Sequence, residues 1–267
     1  MWPFRSKPLL EPEMKEWMFE QAEWLLAAHR HRRAFAKAQL LPLSEKVFPS
    51  NGAKGHALAE RYFADVLRYA DATSLQLRLE PGADSGRYKW DGSRYAVQQK
   101  SSAAGRYWRR DGAISYDSAL LEIPADLIAV LAHEVSHAIL DLGAARPPPG
   151  DPAFEELRTD FTAVFLGFGF YLAQFRADTR VSSPEAAREF KKLYMYYMNL
   201  RELCFATALF CAVHGVERKP VFRRAPAAAS PLLKRAFADL DRNADRIALL
   251  RAAADRVAAL PTLRPPA

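Results

Sequence analysis

His133-Glu134-Val135-Ser136-His137 sets two histidines four residues apart, with a glutamate directly after the first. On a helix, residues four apart share a face, so both imidazoles can reach one metal ion. Glu134 then stands where it can take a proton from a water beside that ion. Neutral imidazoles suit zinc, and a neighbouring carboxylate suits the proton transfer that makes water a nucleophile. The flanks predict a helix. Pro124 suits a first turn, because its missing N–H costs nothing there. Asp126 complements the dipole of the same turn. Leu127, Ile128, Leu131, Val135, Ile139 and Leu142 recur at helical spacing, largely off the His133/His137 face. Gly143 and the run Arg146-Pro147-Pro148-Pro149-Gly150 end the helix.

A catalytic zinc needs a third protein ligand and one open position. The next helix opens Phe154-Glu155-Glu156-Leu157-Arg158-Thr159-Asp160 and runs on through an aromatic stretch to Leu172. Glu156 and Asp160 share a face, continued by Ala163 and Gly167. Small residues on that face predict close packing against the motif helix, which brings Glu156 to the metal. Asp160 then accepts the outer N–H of a ligand histidine and fixes its tautomer. Asp160 as the ligand itself is the main rival, and Glu155 stands behind it.

These residues resemble the HExxH…ExxxD pattern of gluzincin zinc metallopeptidases. The short gap is similar to that of thermolysin-like members, and the second element to Ste24/HtpX-type enzymes. Residues 159–171 also look like a segment of uncharacterised bacterial proteins with a short H-E-x-x-H helix. The specific match covers residues 113–172. The resemblance implies a zincin-like core, a small sheet plus the motif helix. It also implies Zn2+ as cofactor and a peptide or protein as substrate. His133, His137 and Glu156 would be the zinc ligands, Glu134 the general base and Asp160 a supporting carboxylate. Leu140 and Gly143 stand where a metzincin needs a glycine and a third histidine. The long membrane helices of Ste24/HtpX-type enzymes have no counterpart.

The chain has 267 residues, half of them hydrophobic, enough for a sizeable core. No apolar run reaches the roughly 20 residues needed to span a bilayer, and residues 161–175 come nearest. Charges and prolines open the chain where a signal peptide would place an apolar core, so a cytoplasmic location is the expectation. Cys204 and Cys211 are seven apart on a predicted helix, about 10 Å of rise, which predicts free buried thiols. The net charge of +7 is modest. The cluster His29-Arg30-His31-Arg32-Arg33 reads as the charged end of a helix, and nucleic acid is not the expected partner. Arg106-Tyr107-Trp108-Arg109-Arg110 reads as a hairpin tip.

The expected fold class is α+β, mostly helical. Residues 1–72 form an N-terminal helical segment, 73–176 the zincin-like core, and 177–267 a C-terminal helical segment, together one compact unit. Helices are expected over 11–38, 56–72, from Ser183, and over 203–214, 230–242 and 243–260. Strands are expected at 75–80, 95–99 and 113–116. An edge of that small sheet can pair with an extended peptide. The run Tyr194-Met195-Tyr196-Tyr197-Met198 and the apolar helix after it offer Tyr197, Tyr194 and His214 as oxyanion donors. The alternative to a zinc-dependent hydrolase is a non-catalytic, metal-binding regulatory or interaction protein, one that binds nucleic acid included, that keeps the zincin-like site.

Overall fold

The motif helix lies against three other helices and two strands. The computed structural model describes residues 8–81, 88–90, 95–97, 104–142, 154–178, 180–181 and 197–260. Three helices come first: α1 (Pro12–Ala27), α2 (Arg32–Lys37) and α3 (Gly55–Tyr69). Five strands follow: β1 (Arg78–Pro81), β2 (Tyr88–Trp90), β3 (Tyr95–Val97), β4 (Gly105–Trp108) and β5 (Ala113–Tyr116). Then come α4 (Pro124–Asp141), α5 (Glu155–Ala163), α6 (Gly169–Asp178) and β6 (Arg180–Val181). The chain closes with α7 (Leu200–Val213), α8 (Arg218–Arg224), α9 (Ser230–Leu240) and α10 (Ala244–Ala258). The α+β, mostly helical expectation describes this order.

Pro124 does sit in the first turn of α4. Leu127, Leu131, Val135 and Ile139 are fully buried, each worth roughly 1.5–3 kcal/mol in apolar burial. The histidine face is covered as well, since His133, Glu134 and Ser136 are also buried. The enclosure comes from α3, α5 and α6 and from strands β4 and β5. A helix this enclosed must account for every polar group it carries. One hydrophobic cluster runs from Leu9 to Ala254 and joins all three stretches of the chain.

The sheet beside α4 has the order β1-β5-β4. β5 is central, parallel to β1 and antiparallel to β4. A second sheet has the order β2-β3-β6. Residues 75–80 were expected to be one alternating strand. Instead Thr73–Leu75 forms a 3-10 turn, and Gln76 takes a left-handed φ of 52° before β1 begins. The Arg106–Arg110 stretch also differs from expectation. Only the residues after Trp108 turn, while Gly105–Trp108 is the edge strand of its sheet among the described residues.

Residues 11–38 do not form one helix. α1 stops at Ala27, and the N–H groups of Ala28 and His29 both fold back to the carbonyl of Trp24 at 2.9 Å. Past the break, the His31 N–H donates to Nδ1 of His29 at 3.0 Å. His29 is fully buried between the rings of Trp24 and Phe35. Part of the basic cluster is therefore core.

The second long helix is also interrupted. Between α5 and α6, Val164–Phe168 makes a π turn in which Gly167 has a φ of 99°. A Cβ on Gly167 would lie 2.1 Å from the Gln39 carbonyl oxygen. The Gly167 carbonyl accepts the N–H of Leu41 at 3.0 Å. Gly167 thus serves the 39–41 segment and not the contact with α4 expected for it, because the π turn rotates it off the Glu156/Asp160 face. The helix expected from Ser183, together with Tyr194, lies outside the described residues. Cys204 and Cys211 are free and buried, as their spacing implies.

Candidate metal centre

α4 supplies His133 and His137, and α5 crosses it to supply Glu156. The Nε2 atoms of the two histidines lie 3.1 Å apart. Oε2 of Glu156 lies 3.0 Å from the first and 3.4 Å from the second. These three donors form a small triangle. A tetrahedral ion with bonds of about 2.0–2.2 Å sets ligand edges of roughly 3.3–3.6 Å; the 3.4 Å edge lies in that range and the 3.0 and 3.1 Å edges fall just short of it, so the three donors could hold a metal ion.

Asp160 stands behind this triangle and not in it. Its Oδ1 accepts from Nδ1 of His133 at 2.8 Å. Its Oδ2 accepts the Met198 N–H at 2.9 Å and the Arg176 guanidinium at 3.3 Å. The carboxylate is 2 % exposed, so these bonds are what keep it charged. The bond to Nδ1 leaves Nε2 of His133 facing the triangle. Glu155, the weaker rival for third ligand, is exposed on the cleft wall.

The charge states follow from these contacts. Burial disfavours the His133 imidazolium, but hydrogen bonds to Asp160 and Glu156 outweigh it and lift the pKa to about 10. Burial also works against the Glu156 carboxylate, yet the two imidazoles beside it hold it well below the usual range. Glu134 goes the other way: burial raises it, against the lowering pull of the two histidines. A raised carboxyl beside a triangle of metal donors suits a group that takes up a proton.

Glu134 also lies against β4, where the Tyr107 backbone N–H favours its charged form. The close approach depends on Gly105. A Cβ there would come within 2.6 Å of Val130 and 2.9 Å of Glu134. The ladder makes this geometry regular. Asp117 N–H bonds the Ala104 carbonyl, and antiparallel alternation then turns the backbone groups of Gly105 and Tyr107 away from β5. They face a cleft of about 380 Å³ lined by Gly105, Tyr107, Arg109, Glu134, Glu155 and Tyr197 together with the metal donors. Arg109 pairs with Asp141 and ties the turn after β4 to the last turn of α4.

Of the three residues named as oxyanion donors, Tyr197 lies in the cleft. Its ring centre is 5.4 Å from that of His133, and the Arg176 guanidinium covers it at 5.1 Å. Burial and the carboxylates of Glu156, Glu134 and Asp160 push its phenol upward, so it keeps its proton at neutral pH. His214 is elsewhere. Its ring nitrogens meet the carbonyls of Phe210 and Phe35, and its ring stacks on Phe210.

Sequence reading missed Thr159, Gly105 and the backbone of Tyr107. Thr159 carried a signal, since it lies one residue before Asp160 and four after Glu155. The Tyr107 N–H carried none, because a backbone group has no sequence identity. Compared with known families, with curated proteins and with solved structures, the chain matches none. No helix among the described residues is long and apolar enough to cross a membrane.

Proposed function

We propose that the chain is a zinc-dependent hydrolase, a metallopeptidase of gluzincin type built on a zincin-like core. The observation that carries this reading is the convergence of His133, His137 and Glu156 on one point, with Glu134 beside them at the mouth of a cleft. A closed structural zinc takes four protein ligands, whereas a catalytic one keeps a position open. The described residues bring together three donors and an open cleft, which favours catalysis over the regulatory alternative. His133, His137 and Glu156 would hold the ion. When bound, zinc supplies Lewis acidity that acidifies water and polarises a carbonyl.

The remaining work falls to the chain's own residues. Glu134 accepts the proton of the attacking water and returns it to the leaving amine. The Tyr107 N–H fixes the carboxylate for that task. Tyr197, protonated and beside His133, donates a hydrogen bond to the oxygen on which charge develops. An extended peptide pairs with the outward groups of Gly105 and the outward carbonyl of Tyr107, which lays its backbone along the cleft.

The test is a peptide-library digest by wild type, Glu134→Gln and a chelated sample. Glu134→Gln should fold and keep its metal while cleavage falls by about 10²–10⁴-fold. Cleavage lost in both the variant and the chelated sample supports the reading. Cleavage that persists equally in all three sinks it.

A further inference from the structure

We infer that Thr159 is a positioning residue that sets the tautomer and orientation of His137. Thr159 is fully buried, and its hydroxyl donates to the Glu155 carbonyl at 2.9 Å. A hydroxyl has one hydrogen, and that bond uses it. The same oxygen lies 3.2 Å from Nδ1 of His137. With the hydroxyl hydrogen on the Glu155 carbonyl, the oxygen accepts there and Nδ1 carries the proton. Nε2 of His137 is then left with its lone pair toward His133 Nε2 and Glu156, at 3.1 and 3.4 Å.

The backbone makes this arrangement rigid. A threonine whose Oγ1 bonds the carbonyl four residues back has its rotamer fixed by the helix. α5 therefore backs both histidines from adjacent positions, Thr159 behind His137 and Asp160 behind His133. The two supports differ in kind. His133 rests on a carboxylate that Arg176 and Met198 hold in place, and His137 rests on a neutral hydroxyl. Losing such an outer partner typically weakens metal binding by about 10–100-fold.

The inference rests on the metal-centre reading, and zinc itself is the probe. Zinc affinity is measured by chelator competition on the full chain as wild type, Thr159→Val, Thr159→Ser and Thr162→Val. Thr162 makes the same bond four residues back, to Arg158, but touches no histidine. Thr159→Val should bind zinc about tenfold more weakly or worse, while Thr159→Ser and Thr162→Val stay with wild type. Equal affinity in Thr159→Val overturns the inference. So does an equal loss in Thr162→Val, which would make the effect one of helix packing. Wild type that takes up no zinc removes the metal centre as well, so the two failures are distinguishable. Should Thr159→Val not fold, imidazole ¹⁵N spectra of the zinc-loaded wild type decide. A proton on Nδ1 of His137 is expected, and one on Nε2 overturns the inference.

Discussion

Two pairs of buried or half-buried histidines sit in this molecule, and the buried member of one is driven in the opposite direction to the buried member of the other. His133 and His137 face carboxylates, and His133 is lifted to about 10. His29 lies between Trp24 and Phe35 and is pushed by burial, with His31 adding to it, down to about 4. Among the described residues no carboxylate pairs with His29 or His31. Burial acts on both pairs, so burial alone does not mark a site. The difference is the ring of acids, which can stabilise a cation, whether a proton or a metal ion. His31 spends its Nε2 on the Ala70 carbonyl at 2.8 Å, so the His29/His31 pair is a structural joint.

The largest expected contrast is in metal content. Wild type should bind one zinc per chain, and His133→Ala or His137→Ala should bind none at the same metal concentration. His31→Ala should bind as wild type does. Equal zinc in all of them, read by atomic emission after dialysis, breaks the comparison.

Acid stability comes next. His29 is neutral in the fold, so its contribution is fully present above pH 6.5 and is lost as pH falls toward about 4. A shift of that size corresponds to roughly 3 kcal/mol. His29→Gln, which cannot titrate, should therefore show a flatter decline in unfolding free energy between pH 7 and 4. His133 has the opposite sign. In metal-free protein its contribution is present below pH 6.5 and lost as pH rises through about 10. Parallel stability curves for wild type and His29→Gln on the acid side would remove His29 from the account.

A smaller effect separates the supports of the metal centre. Asp160→Asn keeps the shape but removes the charge that His133, Arg176 and the Met198 N–H share. Zinc affinity should fall by about 10–100-fold, and further than in Thr159→Val, because a charge-assisted bond is the stronger one. Retained affinity in Asp160→Asn would mean that the carboxylate organises the Met198 segment and not the ligand.

The motif helix, its start at Pro124 and the grouping of His133, His137 and Glu156 were legible because all three follow from helical spacing and side-chain chemistry. Asp160 was legible as an acid four residues from Glu156, but whether it was ligand or support depended on how α5 crosses α4. The break at Ala28 was not legible, because the basic run there looks like any solvated helix end and hides a core histidine. Gly167 was misplaced because a π turn shifts the helical phase by a residue, and no local sequence rule announces it. The β4 edge was read as a turn because its working parts are a missing side chain at Gly105 and a backbone N–H at Tyr107.

The smallest effect is the most discriminating between the two histidine pairs, because it counts single protons. A group lifted to about 10 is protonated at pH 7, and a metal cannot bind it until that proton leaves. Glu156 is held below the usual range and has no proton to give. Zinc binding at pH 7 should therefore release the proton of His133. Titration calorimetry in two buffers of different ionisation enthalpy reads this release from the difference in apparent heat. His29→Gln should leave it unchanged, since His29 is already neutral at pH 7. Asp160→Asn should reduce it, because His133 then loses the partner that keeps its proton in place. Equal heats in both buffers would show that His133 is neutral before the metal arrives, and the contrast between the carboxylate-ringed pair and the aromatic-ringed pair would lose its physical basis.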